Sequence, residues 1–258
     1  MSKLIGEQPG EARTNWDEFT ETGFRDLLKS LKSRSYNFAS FAHPPETKHV
    51  LWRHDVDQSL HRAARLAEIE AEEGARAVYF LNPRSQFYNL LEPVSAALTR
   101  RVRDGGHEIG LHFDASAFDV RIWTASTLAQ AVHAERVLLE SILGQPIRTM
   151  SWHNPDMSNL LDFKDREIGG LINAYADAYK RDYNYVSDSN GYWRFTPMAE
   201  VIAAGHPKLH LLTHPEWWTP EPLSPSERVD RCIFGRARAI RHEYDTILAK
   251  GGRKNLKS

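Results

Sequence analysis

Hydrophobic and polar residues alternate along the chain in two patterns, short unbroken apolar runs and longer stretches with helical spacing. Apolar runs of about four to eight residues bounded by polar ones predict buried strands. They occupy residues 50–57, 77–81, 107–113, 147–153, 183–187, 192–195 and 209–213. Apolar residues that recur every three or four positions predict amphipathic helices. These lie at residues 24–31, 60–71, 91–102, 128–142 and 226–250.

Strands that alternate with helices predict an α/β protein with a parallel sheet whose faces are covered. Side chains with reactive groups follow or end most of the predicted strands. They are Asp55 and Asp57, His112 and Asp114, His153, Asp188 and His214. A barrel gathers the carboxyl ends of its strands around one mouth, whereas an open sheet spreads them along an edge. We therefore expect an irregular (β/α) barrel of about seven parallel strands, similar to a TIM barrel.

Length and composition narrow the classes of protein that need to be considered. The length of the chain predicts a single catalytic domain over residues 1–258. We expect a polar arm at residues 1–15 and a C-terminal helix and basic tail at residues 226–258. A net charge of −1 gives no reason to expect nucleic acid as a partner. The single cysteine, Cys232, excludes an internal disulfide framework. No apolar segment resembles a signal peptide or approaches a membrane span, so we expect a cytoplasmic protein.

The first long predicted strand ends in a cluster of charged groups. Side chains two positions apart on an extended chain point the same way, so Asp55 and Asp57 face one spot and His54 faces the opposite side. Two carboxylates held together repel, and a cation, a shared proton or a basic neighbour must offset the pair. This favours a metal site or an acid/base site. The simpler alternative is an ion pair at the strand end with Arg53 or Arg62.

Histidines at the ends of later strands are candidate metal ligands. His112 and Asp114 face one way at the end of their strand, whereas His107 lies at its start and is expected to be structural. Neutral imidazole is a common ligand for transition metals, and a neighbouring acceptor can fix its tautomer. His153 lies at a strand-to-loop exit, and this stretch alone supports a functional and a structural role equally.

His214 closes the last predicted strand and is followed by Trp217 and Trp218. Tryptophans beside polar groups often form a platform for the apolar faces of sugars, and their simpler role is packing in the core. The same choice applies to the other tryptophans expected near the mouth, which are Trp52, Trp123, Trp152 and Trp193.

These stretches resemble the polysaccharide deacetylase superfamily, also called the NodB-homology or family 4 carbohydrate esterases. The resemblance covers residues 50–218, most of the chain. The segment His54-Asp55-Val56-Asp57 is similar to the first motif of the family, in which the first aspartate is the general base and the second a metal ligand. The stretch that ends at His112 resembles the approach to the second motif, with His112 as a metal histidine. The stretch that ends at His214 resembles the fifth motif, whose histidine is the catalytic acid.

The remaining motifs match less closely. Residues 151–155 fall where the third motif lies but lack its arginine, and residues 185–194 are placed like the fourth. Ser116 stands where the second motif has another metal histidine, so the usual Asp-His-His set is incomplete. An extra residue separates Asp55 from Asp57, which leaves open which of the two binds metal.

The resemblance implies one divalent metal ion, with zinc favoured, bound by Asp57 and His112. Either His153 or Asp114 replaces the missing ligand, and His153 is favoured because another strand end approaches from a different side. Asp55 is then the general base, and the catalytic acid is the histidine of the fifth motif. The residues expected to contact the substrate are Asp114, Asp188, Trp193, Arg194, Trp217 and Trp218.

The predicted activity is that of a metal-dependent hydrolase that removes an acetyl or similar acyl group from an N-acetylated sugar. A cytoplasmic enzyme of this kind would act on a saccharide precursor of a cell-surface polysaccharide or O-antigen. One branch of the superfamily hydrolyses cyclic amides such as allantoin without metal, and this activity is one alternative. The other is a saccharide-binding barrel without activity, which Ser116 favours but the presence of both a base and an acid argues against.

Overall fold

The computed structural model describes residues 15–119 and 123–256 as an α/β fold built on one nine-stranded sheet. The predicted arm at residues 1–15 lies, apart from Asn15, outside the described residues. The strands are β1 (Asn37–Phe38), β2 (His49–Val56), β3 (Val78–Leu81), β4 (Glu108–Asp114), β5 (Thr149–His153), β6 (Glu167–Ile168), β7 (Leu171–Asn173), β8 (Asn184–Ser187) and β9 (Lys208–Thr213). The helices are α1 (Glu21–Ser33), α2 (Leu60–Glu72), α3 (Pro93–Asp104), α4 (Ala125–Leu143), α5 (Asp177–Arg181), α6 (Met198–Ala203) and α7 (Pro225–Lys250).

The strands follow the order β6-β7-β5-β4-β3-β2-β9-β8, and β1 pairs with the start of β2. Neighbouring strands are parallel except for β6 and β7. The sheet curls into a half-barrel with β6 and β8 at its edges. The expected α/β barrel of parallel strands is therefore confirmed as a mostly parallel half-barrel.

Several predicted elements differ in the structure. No strand forms at 192–195, because Trp193 turns into the core there and its indole N–H donates to Glu18 at 3.1 Å. The helix predicted over 91–102 begins only at Pro93, so Leu91 lies outside it and is 75% exposed. Val94 lies in the first turn of the helix and is 56% exposed. Strands β1, β6 and β7 were not predicted, since two or three residues are too short to show a period. In the described part of the chain, no helix is long and apolar enough to cross a bilayer.

Two apolar clusters lie on opposite faces of the sheet. The larger one fills the space between the sheet and the helices, and it contains Val50, Trp52 and Val56 of β2. The smaller one fills the inside of the half-barrel and contains Leu51 of the same strand. Every residue of β2 is buried. Because side chains alternate along a strand, Asp55 shares the inner face with Leu51 and lies above the smaller cluster.

A buried hydrogen-bonded chain holds the outer face of β2 to α2 and β9. His54 contacts Thr213 Oγ1 through Nδ1 at 2.7 Å and Glu70 Oε1 through Nε2 at 2.8 Å. The Tyr79 hydroxyl donates to Glu70 Oε2 at 2.7 Å, and His107 Nδ1 lies 3.4 Å from the same oxygen. Burial alone would raise the pKa of Glu70, but His54, His107 and Tyr79 together hold it below its usual value. Glu70 is therefore a buried carboxylate that joins two histidines.

Replacing Glu70 with glutamine is expected to destabilise the fold by about 1.5–3 kcal/mol at neutral pH, the usual worth of a hydrogen bond to a charged group. Because the pKa of Glu70 is lowered in the folded state, its contribution is fully present above the unfolded value of about 4.3. The contribution is lost as the pH falls through the folded value. Urea unfolding of wild type and Glu70→Gln at neutral pH and at about pH 4 and 3 measures this narrowing difference.

The matched control is Glu46→Gln, whose side chain is 97% exposed. It removes the same charge without touching the buried chain, and its effect on the free energy of unfolding should be close to zero at each pH. A Glu70→Gln difference that stays constant from neutral to acidic pH would contradict the prediction.

Candidate metal centre

Three of the predicted ligands meet at the carboxyl edge of the sheet. Asp57 follows the end of β2, His112 lies near the end of β4, and His153 ends β5. Asp57 Oδ1 lies 3.0 Å from His112 Nε2 and 3.2 Å from His153 Nδ1, and the two ring nitrogens are 3.2 Å apart. The ligand atoms thus lie within 4.8 Å of one another. One carboxylate and two imidazoles at this spacing form a donor set that suits zinc or a similar transition metal.

Strand register brings these side chains together. In the parallel pair β4 and β5, His112 is level with Ser151 and Asp114 is level with His153. Residues that are level with each other, or two apart on one strand, share a face, so all four point into the half-barrel. Only β3 separates β2 from β4, which brings Asp57 within reach of both histidines. The site therefore follows from alternation and register at the strand ends.

The carboxylate and the imidazoles at the site stabilise each other's charged forms. Burial alone would raise the pKa of Asp57, but hydrogen bonds from His112 and His153 and the nearby imidazole charges hold it well below its usual value. Burial would lower the pKa of His153, but its hydrogen bond to Asp57 and the charge of that carboxylate raise it. Asp57 is therefore an anionic carboxylate facing two imidazoles, as metal binding requires.

Ser116 does not supply a ligand. It lies in a short turn after β4, and its backbone N–H donates to Asp114 Oδ1 at 2.8 Å. The other oxygen of Asp114 accepts a bond from the Asn82 side-chain amide at 3.4 Å. Asp114, the alternative third ligand, is thus held by its own turn and by the residue that follows β3, while His153 reaches the cluster from β5.

Asp55 lies below the cluster and is linked to it through Ser151. Ser151 Oγ donates to Asp55 Oδ1 at 3.2 Å and lies 2.7 Å from His112 Nδ1. Because the serine hydrogen is directed to Asp55, His112 Nδ1–H is the donor to the serine oxygen. This leaves Nε2 of His112, 3.0 Å from Asp57, as the nitrogen that takes a proton or a metal ion. The residues present therefore fit a divalent ion.

Arg53 balances the charge of Asp55 inside the half-barrel. Its Nη2 lies 3.4 Å from Asp55 Oδ2, and both side chains are almost fully buried. The guanidinium carbon also lies 4.4 Å from the centre of the Tyr175 ring. This is the ion pair that the simpler reading of the sequence allowed for Arg53. Arg62 instead pairs with Glu21 at 2.9 Å, on the outer side of the sheet.

His214 faces the cluster from the end of β9, with its Nε2 4.0 Å from Asp57 Oδ2. On its other side, Nδ1 and the backbone N–H both donate to Asp188, at 2.7 Å and 2.9 Å. The Trp218 indole N–H donates to the same carboxylate at 2.8 Å. Burial would lower the pKa of His214, but the Asp188 carboxylate raises it to about 10. His214 is therefore a charged imidazole whose free N–H is directed to the site.

The structure corrects the expectation that tryptophans form a platform for the substrate. Trp193, Trp217 and Trp218 are only 3%, 7% and 1% exposed, so their faces pack in the core and do not form an open platform. Asp188 is fully buried and orients His214, although it was expected to contact substrate. The other tryptophans expected near the mouth are buried or half-buried, and they are Trp52, Trp123 and Trp152. Arg194 is exposed, and its contact with substrate stays a prediction, as it does for Asp114.

Sequence reasoning did not single out Ser151, and it named Arg53 only as the alternative ion-pair partner at the strand end. Each lies two residues from a predicted site residue on the same strand, His153 and Asp55 respectively. The period of a strand places such neighbours on the same face. That spacing is the signal that would have identified both.

No family model and no curated protein matches the chain. Among solved structures it is similar to a carbohydrate esterase family 4 pseudoenzyme from Bacillus anthracis, at 15% identity and a TM-score of 0.41 over 76% of this chain and 63% of that one. A family 4 acetyl xylan esterase from Clostridium thermocellum, in complex with a cobalt ion, matches at 15% identity and 0.39 over 74% and 83%. A family 4 carbohydrate esterase from Streptomyces lividans, in complex with acetate, matches at 13% and 0.42 over 75% and 91%. Similarity at this level establishes neither the family nor an activity.

The chain with this site is expected to bind about one divalent ion, and His112→Ala is expected to abolish that binding, because only two ligands remain. Elemental analysis of protein loaded with zinc and dialysed measures the content. The matched control is His133→Ala, an exposed histidine of α4, which should retain the metal. Equal metal content in wild type and His112→Ala would contradict the assignment.

Proposed function

We propose that the chain is a metal-dependent hydrolase that removes an acetyl or similar acyl group from an N-acetylated sugar. One arrangement carries this proposal. A carboxylate and two imidazoles converge at one edge of the sheet, with the buried carboxylate of Asp55 below them and the charged imidazole of His214 beside them. Hydrolysis of an amide needs an activated water, a polarised acyl oxygen and a protonated leaving nitrogen, and these groups match those three tasks.

A divalent ion held by Asp57, His112 and His153 would polarise the acyl oxygen and make a water molecule more acidic. Three protein ligands leave a position open, as catalytic zinc sites do, and we therefore propose zinc. The resident residues then handle the protons. Asp55 accepts the proton of the attacking water, while Arg53 keeps its carboxylate paired with a positive charge.

His214 protonates the leaving nitrogen from Nε2. Asp188 accepts hydrogen bonds from both Nδ1 and the backbone N–H, which fixes the orientation of the ring and keeps the proton on the atom that faces the site. The raised pKa of His214 leaves the ring charged at neutral pH, as a proton donor must be. Base and acid therefore occupy different environments, one beside Arg53 and one beside Asp188.

The finer parts of the proposal are the substrate and the location. A saccharide precursor of a cell-surface polysaccharide or O-antigen, handled in the cytoplasm, is the substrate we propose from the resemblance of the motifs. The convergence of Asp57, His112 and His153 favours this over metal-independent hydrolysis of a cyclic amide, which has no use for three ligand atoms at one point. Acetate release from N-acetylated sugars, with and without added zinc or a chelator, tests the activity directly.

Asp55→Asn is expected to reduce turnover by about 10²–10⁴, the usual scale for a lost general base, while the fold and the metal are retained. Steady-state rates and metal content are both measured. The control is Asp104→Asn, the same substitution at an exposed carboxylate, and this variant should be fully active. Loss of metal from Asp55→Asn together with its retention by Asp57→Asn would show that the two aspartates have the opposite roles.

His214→Ala is expected to lower kcat for an amide far more than for an activated ester, because only the poor leaving group needs a proton. KM should change little, as expected for an interaction made in the transition state. Asp188→Asn should act in the same direction, since it removes the carboxylate that keeps the ring charged. His206→Ala, an exposed histidine, is the control. Equal losses on amide and ester would remove the acid role from His214.

A further inference from the structure

Helix α7 carries an exposed apolar stripe that nothing in the described part of the chain covers. The stripe consists of Ile233, Ala237, Ile240, Tyr244 and Ile247, which are separated by four, three, four and three residues. The four larger side chains are 45%, 50%, 54% and 53% exposed. This spacing of apolar residues is the heptad repeat with which two helices pack along one seam.

Among the described residues, the contacts that fasten α7 to the body of the protein lie in the first part of the helix. Arg228 is fully buried and donates to the backbone oxygens of Trp16 and Phe19 at 3.0 Å. Arg236 forms a two-point ion pair with Glu92, with one bond of 2.6 Å. From residue 237 to residue 250 every position is exposed or half-buried. The second half of the helix therefore extends away from the domain.

An unsupported helical segment of this length is marginally stable in water, since most helical stability in proteins comes from packing of an apolar face. The side-chain hydrogen bonds recorded for the described residues beyond Arg236 stay within the segment, as Arg241 and Asn255 both donate to Asp245. They do not cover the stripe. A second helix packed along it would supply the missing support.

We propose that α7 pairs in antiparallel orientation with α7 of a second copy of this chain. A two-fold axis makes each contact occur twice, so the surface must be complementary to itself. The stripe meets this condition when Ala237 packs against Ile240 of the second copy. Ile233 then packs against Tyr244, so that a smaller side chain faces a larger one at each end of the overlap.

The residues that flank the stripe support the same orientation. In the antiparallel register, Arg236 lies beside Glu243 of the second copy, which adds a second carboxylate near a guanidinium already paired with Glu92 of its own chain. Phe234 lies beside Arg241. The first is a pair of opposite charges, and the second allows a cation–π contact. A parallel pair would instead place Arg236 against Arg241, two like charges. The sequence of the helix thus favours antiparallel pairing on both flanks.

The overlap from Ile233 to Tyr244 is short, about 18 Å of helix. A stable interface buries about 800 Å² on each partner, and a seam of this length offers less. The dimer should therefore dissociate on dilution. Sedimentation velocity of the full chain over a range of concentrations is expected to show a monomer that converts to dimer as the concentration rises.

A pair of matched variants tests the surface. Ile240→Glu places a charge in the seam twice per dimer and is expected to raise the dimer dissociation constant at least about tenfold, equivalent to about 1.4 kcal/mol. Ala239→Glu adds the same charge to the same helix outside the stripe and should leave the dissociation constant within about twofold. A wild type that is monomeric at every concentration, or equal effects of the two variants, would overturn the proposal.

Cysteine cross-linking tests the orientation. In a Cys232→Ser background, Ala237→Cys and Ile240→Cys proteins are mixed and oxidised. Antiparallel pairing is expected to give a disulfide between the two different variants and little cross-linking of either variant with itself. Self-cross-linking of Ala237→Cys would show a parallel pair and overturn the proposed register. Because these residues lie on the extended part of α7, the outcome does not depend on the hydrolase proposal.

Discussion

Strand β2 carries an arginine, a histidine and an aspartate in succession through a region that is buried on both faces. An unpaired charge or an unpaired polar group in such a place costs on the order of several kcal/mol, so each of the three side chains needs a partner. Alternation directs Arg53 and Asp55 to the inner face, where they pair with each other at 3.4 Å. It directs His54 to the outer face, where Glu70 accepts it at 2.8 Å. These pairings fix α2 and β9 relative to the strand from which the candidate site extends.

The candidate site is the continuation of this inner row beyond the end of β2. Asp57 is the next residue on that face, and it is satisfied by His112 and His153 from two other strands. Ser151 joins the two levels, because it donates to Asp55 and accepts from His112. The tautomer of His112 is therefore set by the same carboxylate that Arg53 neutralises. Substitution of Arg53 or Asp55 should consequently alter the tautomer and the position of His112 in the ligand cluster.

The period of the sequence was enough to predict the parallel α/β fold and the strand ends at which Asp57, His112 and His153 lie. The period alone left both Asp114 and His153 open as the third ligand, since the two are level with each other on adjacent strands, although His153 was favoured. That choice depends on the turn after β4, in which Asp114 accepts the backbone N–H of Ser116. The burial of Trp218 was also beyond the sequence, because the same indole could face a sugar or donate to Asp188.

The charged groups around His214 favour a catalytic role for the site over binding of a saccharide alone. Asp188 is fully buried and is satisfied by the backbone and ring N–H groups of His214 and by the indole of Trp218. All this keeps one imidazole charged and fixed 4.0 Å from Asp57. A surface that only binds a saccharide gains little from a buried carboxylate that orients a proton donor. Neutral hydroxyl and amide groups bind sugars without the cost of desolvating a charge. A group that delivers a proton to a leaving nitrogen requires this fixed geometry and this charge, which favours hydrolysis over binding alone.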